Sequence, residues 1–267
     1  MDFGLRGRAA IVTGASGGIG GATARGLAAE GASLLLVGRR EEALLRVAEE
    51  CLERWDVDTR VLVLDITGPD AADEAVAACL ARFDRLDVLV NAAGSTGTRH
   101  METLLDEDWQ DQWEVHVMAP MRLMRAAGPH MARNHWGRIV NVASSAAKRP
   151  SASLDMSYSV TKAAQVSLSR SFADLLAASG VLVNAVAPGP VGGVMWESPG
   201  GLADQLAARD ARSREEILED LAARLPRGLL ATEEEVAAVI VFLCSEAAAN
   251  VVGAAWSVDG GAVPGIF

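Results

Sequence analysis

The sequence predicts an α/β fold: a doubly wound, Rossmann-type parallel sheet of about seven strands with helices on both faces. Three observations predict it. Short apolar runs alternate with long helical patterns, a glycine-rich turn follows the first run at once, and polar residues suited to chemistry recur just after later runs. Strands covered on both faces read as near-continuous apolar stretches, as Ser33-Leu-Leu-Leu-Val37 does. Right-handed crossovers then bring the carboxyl ends of all strands to one edge of the sheet, where ligands bind.

The elements follow in order. Ala9-Ala-Ile-Val-Thr13 is the first strand, and Gly14-Ala-Ser-Gly-Gly-Ile-Gly20 leads into a helix over 18–30 that Gly31 stops. Glycines placed between strand and helix allow a tight turn and a close approach of backbone N–H groups to a pyrophosphate. The second strand, 33–38, ends in Gly38-Arg39-Arg40 before a helix at 41–54. An acidic residue at the first of these positions would repel a 2′-phosphate; the guanidinium fork of Arg39, which follows Gly38, matches one. NADP(H) is therefore favoured, with NAD(H) possible, although a solvated Arg-Arg pair would read the same way. Strands at 60–64 and 87–91 end at Asp65-Ile66 and Asn91, with helices expected at 70–82 and 107–133. Strand 138–143 precedes Ser145, and a helix over 157–179 carries Tyr158 and Lys162. Strand 181–187 runs into Pro188-Gly189-Pro190-Val191; a helix at 232–246 and a strand at 254–258 close the pattern.

Between 194 and 230 the chain reads differently. Met195, Trp196 and Pro199-Gly200-Gly201 precede a helical stretch over 202–212, and Ser213-Arg-Glu-Glu216 has the layout of a capping box. A paired-helix lid over a substrate pocket is expected, with a packing hairpin as the alternative. No linker, repeat or low-complexity tract interrupts the chain, so 1–267 reads as one domain.

Composition narrows the function. A net charge of −11 and a pI near 4.9 argue against nucleic acid and anionic membrane as partners. No apolar run reaches the roughly 18 residues of a membrane span, and Met1-Asp-Phe-Gly-Leu-Arg6 lacks the layout of a signal peptide. A cytoplasmic location is expected. Cys51, Cys79 and Cys244 are odd in number and sit in apolar patterns, as buried free thiols would. The four histidines have no metal-ligand spacing, and no metal is expected.

The chemistry lies in Tyr158-Ser-Val-Thr-Lys162, with Ser145 thirteen residues upstream of the tyrosine. A phenol with an ordinary pKa of about 10 is a poor acid at neutrality. A lysine one helical turn away shares its face and can stabilise the phenolate, while a serine holds the oxygen that exchanges the proton. The pair alone is weak, because a packed tyrosine beside a solvated lysine is common.

Together these residues resemble the short-chain dehydrogenase/reductase family over nearly the whole chain. The resemblance rests on Thr13-Gly-Ala-Ser-Gly-Gly-Ile-Gly20, Asp65, Asn91-Ala-Ala-Gly94 and Ile139-Val-Asn-Val-Ala-Ser-Ser145. The Tyr158/Lys162 pair, Asn184-Ala-Val-Ala-Pro-Gly189 and Val258-Asp-Gly-Gly261 complete it. It implies hydride transfer between NADP(H) and a carbonyl or secondary-alcohol substrate, with Tyr158 exchanging the proton, Ser145 orienting the oxygen and Lys162 holding the ribose. It also implies cofactor contacts at Gly14, Ser16, Gly18, Ile19, Gly20, Arg39, Arg40, Asp65 and Ile66, then Asn91, Gly94, Pro188, Gly189 and Val191, with Asp65 meeting the adenine. The framework looks like the 3-oxoacyl-thioester reductase branch. A cofactor-binding regulator without turnover is the competing class. Members commonly form tetramers, which here would use 107–133, 157–179 and the tail Ala262–Phe267. The chain departs from the pattern at Ala92 and Gly193, and at His116, where relatives carry an asparagine that assists a proton relay to the lysine. His116 reads either as a substituted relay member, titrating near 6.5, or as a space filler.

Overall fold

The computed structural model describes residues 2–265. Seven strands form one parallel sheet: β1 (Ala9–Thr13), β2 (Ser33–Gly38), β3 (Thr59–Val63), β4 (Val88–Asn91), β5 (Gly137–Val142), β6 (Val181–Pro188) and β7 (Ala255–Val258). Their order is β3-β2-β1-β4-β5-β6-β7. The expected class and strand set are therefore present, with ends displaced by a residue or so.

Period-two alternation explains why these runs are apolar throughout. Ala10 and Val12 of β1 face one layer, while Ala9 and Ile11 face the other. The first layer is built by α1 (Gly18–Ala29) and α2 (Glu41–Trp55) through Ala24, Leu27, Leu44 and Val47. Across the sheet, α3 (Ala71–Phe83) contributes Ala75 and Val76. The order reverses between β1 and β4, and that switch point is where the glycine turn opens. Thr13 Oγ1 accepts from the Ala92 and Ala93 N–H groups at 3.1 and 3.2 Å, stitching the two strand ends together.

The helix expected over 107–133 is present: α4 (Asp106–Trp113) passes through a π-helical turn at Glu114–Met118 into α5 (Ala119–Arg133), with helical dihedrals at both junctions. A π turn holds one extra residue per turn and rotates the side chains that follow, a distortion common at functional sites. His116 lies inside it. After β5, α6 (Met156–Leu176) carries Tyr158 and Lys162.

The segment after β6 folds as α7 (Val194–Glu197), α8 (Leu202–Asp210) and α9 (Arg214–Ala223), and α10 (Glu233–Leu243) then returns to the sheet. Trp196, Leu202, Leu206 and Ile217 make a small core of their own. The capping box is formed: Ser213 Oγ accepts from the Glu216 N–H at 3.1 Å, and Glu216 accepts from the Ser213 N–H at 2.8 Å. Among the described residues no helix is long and apolar enough to cross a membrane. Cys51, Cys79 and Cys244 are buried free thiols.

Candidate active site

A cavity of about 510 Å³ opens along the carboxyl edge of the sheet. One end is the glycine turn, where Gly14, Gly18, Ile19 and Gly20 line the wall. A side chain at Gly14 would put its Cβ 2.8 Å from the Ala93 backbone, and φ there is +68°. One at Gly20 would run into the Gly14 carbonyl. Among the described residues no side chain caps the N-terminus of α1, so its first N–H groups are open to an anion. These features fit a dinucleotide diphosphate.

The two arginines after β2 separate. Arg40 lines the cavity and donates through Nη2 to Ser16 Oγ at 3.1 Å, beside Gly17. Arg39 points away: its side chain is 75% exposed and lies 3.7 Å from Asp65 Oδ2. Asp65 is also occupied locally, accepting from Thr67 N–H and Oγ1 at 3.0 and 2.8 Å. These bonds, the Thr67 N–H first, hold its carboxyl below the usual range.

At the other end stand Tyr158 and Lys162, both buried, one helical turn apart as the spacing requires. Of the two adjacent serines it is Ser144, not the expected Ser145, whose hydroxyl lies close enough to the phenol to lower its pKa. Ser144 Oγ accepts from the Ala146 N–H at 3.1 Å, so its own proton remains free to donate into the cavity. Ser145 also borders the cavity but opens the short 3-10 turn Ser145–Ala147, and its carbonyl accepts from the Lys148 and Arg149 N–H groups. Spacing to Tyr158 pointed to the second of two adjacent serines; the local turn selects the first.

Burial pushes the Tyr158 phenol above its ordinary value, and Ser144 only partly opposes it. The Lys162 ammonium is turned onto the Val142 carbonyl and Gln165 Oε1. Burial brings the lysine itself down to about 7.

Pro188, Gly189, Val191 and Gly94 also line the cavity. Beyond them the wall becomes apolar through Leu154, Met195, Trp196, Leu202 and Leu221. The segment after β6 thus supplies much of that apolar wall.

Residues 14–263 match the family profile described as Enoyl-(Acyl carrier protein) reductase. The short-chain reductase protein NovJ of Streptomyces niveus is 35% identical over 252 residues, 94% of this chain and 92% of that one. The chain belongs to the short-chain dehydrogenase/reductase family. It is an NAD(P)-dependent oxidoreductase of carbonyl and hydroxyl groups. The 3-oxoacyl-[acyl-carrier-protein] reductase FabG of Aquifex aeolicus is 31% identical, covering 98% of this chain and 99% of that one. The L-sorbose reductase of Gluconobacter frateurii, solved with NADPH and L-sorbose, superimposes with a TM-score of 0.93 at 34% identity, over the whole of both chains.

Of the two readings of His116, relay member or space filler, its position is nearer the second. It is fully buried behind Gly94, outside the cavity wall. Thr161 Oγ1 spends its single proton on the Ser157 carbonyl at 2.8 Å, so it accepts from His116 Nδ1–H at 2.9 Å. His116 Nε2 accepts from the Ser95 N–H at 3.3 Å. The network thus assigns a neutral tautomer with both nitrogens used. Burial first, then the Lys162 charge, holds the imidazole well below its ordinary value. This environment argues against the expected titration near 6.5; the residue clamps the loop after β4 to α6. Asn91 and Ile66 are likewise buried behind the cavity wall, Asn91 donating to Asn141 Oδ1 at 2.8 Å. Gln165, missed in the sequence, touches the lysine directly.

Proposed function

We propose that the protein reduces a carbonyl compound with NADPH, or oxidises the matching secondary alcohol with NADP⁺. The convergence of Tyr158, Ser144 and Lys162 on a cavity that ends in an open glycine turn carries this reading. When bound, NADP(H) supplies or accepts the hydride. Gly14, Gly18, Ile19 and Gly20 would hold its diphosphate, Arg40 its 2′-phosphate, and Pro188, Gly189 and Val191 the nicotinamide side. Ser144 donates to the substrate oxygen and fixes its distance from Tyr158, which transfers the proton. Lys162 offers its ammonium to the phenolate left behind and to the ribose. Helices α7 to α9 act as a lid that excludes water, and 1–267 serves as one domain.

A panel of ketones and alcohols with both nicotinamide cofactors tests this. Substrate-dependent NADPH consumption is expected. Cofactor binding with no turnover on any ketone or thioester would favour the regulator. A 3-oxoacyl thioester belongs early in the panel, since a FabG is among the relatives.

Cofactor choice gives a second test. Arg40→Ala should weaken NADPH by about 1.5–3 kcal/mol, the range for a hydrogen bond to a charged group, with little change for NADH. Arg39→Ala should cost NADPH less. Equal losses for both cofactors in the Arg40 variant would place that residue at the shared adenosine site.

Assembly is a proposal too. Trp113 on α4 and Met156 and Val160 on α6 are exposed large apolar side chains, the kind of surface a symmetric partner covers. Ile266-Phe267, expected to be buried against a neighbour, lie outside the described residues. Light scattering at micromolar concentration should give a tetramer; monomer alone would contradict this.

A further inference from the structure

Lys162 donates to the Val142 carbonyl at 2.7 Å and to Gln165 Oε1 at 3.0 Å. An ammonium has three donors, so one remains for the cavity that Lys162 lines. Val142 ends β5, and its carbonyl is fixed by the sheet. Gln165, three residues along α6, is the one side chain among the described residues that accepts from the ammonium.

Packing does not explain a glutamine there. The residue is wholly buried, and among the described residues its Nε2 has no partner. A buried amide donor left unmade costs about 1–3 kcal/mol, which a leucine of similar volume would avoid. The neighbourhood is neutral. His116 faces Lys162 from the π turn in its uncharged form, and the Tyr158 ring centroid lies 5.8 Å from Nζ. Gly94 offers only backbone, and Asn141 and Ser169 continue the polar strip beyond Gln165, hydrogen-bonded to each other at 3.2 Å. Of the charged side chains on the cavity wall, Arg40 and Glu233 belong to the glycine-turn end, and Arg149 and Arg224 are exposed.

We propose that Gln165 is a positioning residue for Lys162: its Oε1 and the Val142 carbonyl engage two of the ammonium's donors and leave the third aimed into the cavity. The proposal rests on Lys162 serving the reaction as described above. It assigns to α6 a duty toward the lysine that the family's pattern gives to the position His116 fills here.

The sign of each substitution is fixed by electrostatics. A carbonyl dipole favours the charged ammonium, so Gln165→Leu should lower the lysine's already depressed pKa. Gln165→Glu places a carboxylate beside the ammonium and should raise it, by about one unit or more. Carbonyl reduction needs the charged ammonium, so its rate falls as pH rises through that pKa. The alkaline limb should therefore move down in the Leu variant and up in the Glu variant.

The sequence permits a direct reading, because Lys148 and Lys162 are its only lysines. Protein labelled at the lysine side-chain nitrogen gives two resonances, and Lys148→Arg assigns them. The Lys162 signal should titrate near 7 in the native chain and shift in opposite directions in the two variants, with the rate limb following. A Lys162 signal and a rate limb unmoved in both variants would overturn the proposal. If the Leu form does not fold, Gln165→Met, which keeps the length without the acceptor, takes its place. Shifted signals without ketone turnover would sink the catalytic reading and leave the positioning role standing. Turnover with a native limb and a native signal in the Leu or Met form would do the reverse.

Discussion

Tyr158→Phe should lower turnover by at least about 10² while cofactor affinity stays unchanged, the scale expected when a general acid is removed. The substitution keeps the ring that packs edge-on against His116, with centroids 5.4 Å apart, and deletes only the hydroxyl. Fold and loop clamp are therefore preserved, and the loss reports proton transfer. Tyr158 is the only tyrosine in the chain, so its phenol can be titrated by absorbance without background. In the free protein that titration should lie above the ordinary value of about 10, because burial disfavours the phenolate. Turnover close to native in the Phe variant would remove Tyr158 as the proton donor.

The contrast between what the sequence disclosed and what it hid follows from the range of the interactions involved. Strand positions were legible because burial on both faces leaves apolar runs such as 33–37, and the site edge followed from topology alone. Gly14 and Gly20 were legible for the same reason: only a residue without a Cβ fits against the Ala93 backbone and the Gly14 carbonyl. Direction within a motif was not legible. Two arginines follow β2, and which of them faces the cavity depends on how the chain leaves the strand. Asp65 recruits Arg39 from β3, a partner distant in sequence. The π turn at Glu114–Met118 was also hidden, because an apolar pattern of helical period runs through it. Its consequence is large: it seats His116 between Ser95 and Thr161, where a neutral imidazole is held and a titrating one is not. Gln165 had no signal beyond being a polar residue on the face of α6 that carries Lys162, and that cue could have been read.

The serine assignment separates geometry from spacing most sharply. Ser144→Ala removes the hydroxyl whose proton is free to meet a substrate oxygen, and turnover should fall by about 10², the range for losing a donor to a developing oxyanion. The substitution also leaves the Ala146 N–H without its acceptor, so some loss of stability is expected from the turn after β5. A melting curve separates that loss from chemistry: at a temperature where both forms are folded, the defect should persist in kcat. Ser145→Ala should stay within about twofold of native turnover, as for a half-exposed residue whose side chain holds nothing. Its structural contribution runs through the backbone carbonyl, which alanine keeps. The phenol titration supplies an independent readout, because Ser144 lowers the Tyr158 pKa. In the Ser144 variant the phenol should titrate higher than in native protein, and in the Ser145 variant it should not move. The reverse pattern, with Ser145→Ala inactive and Ser144→Ala active, would restore the assignment that a thirteen-residue spacing suggested.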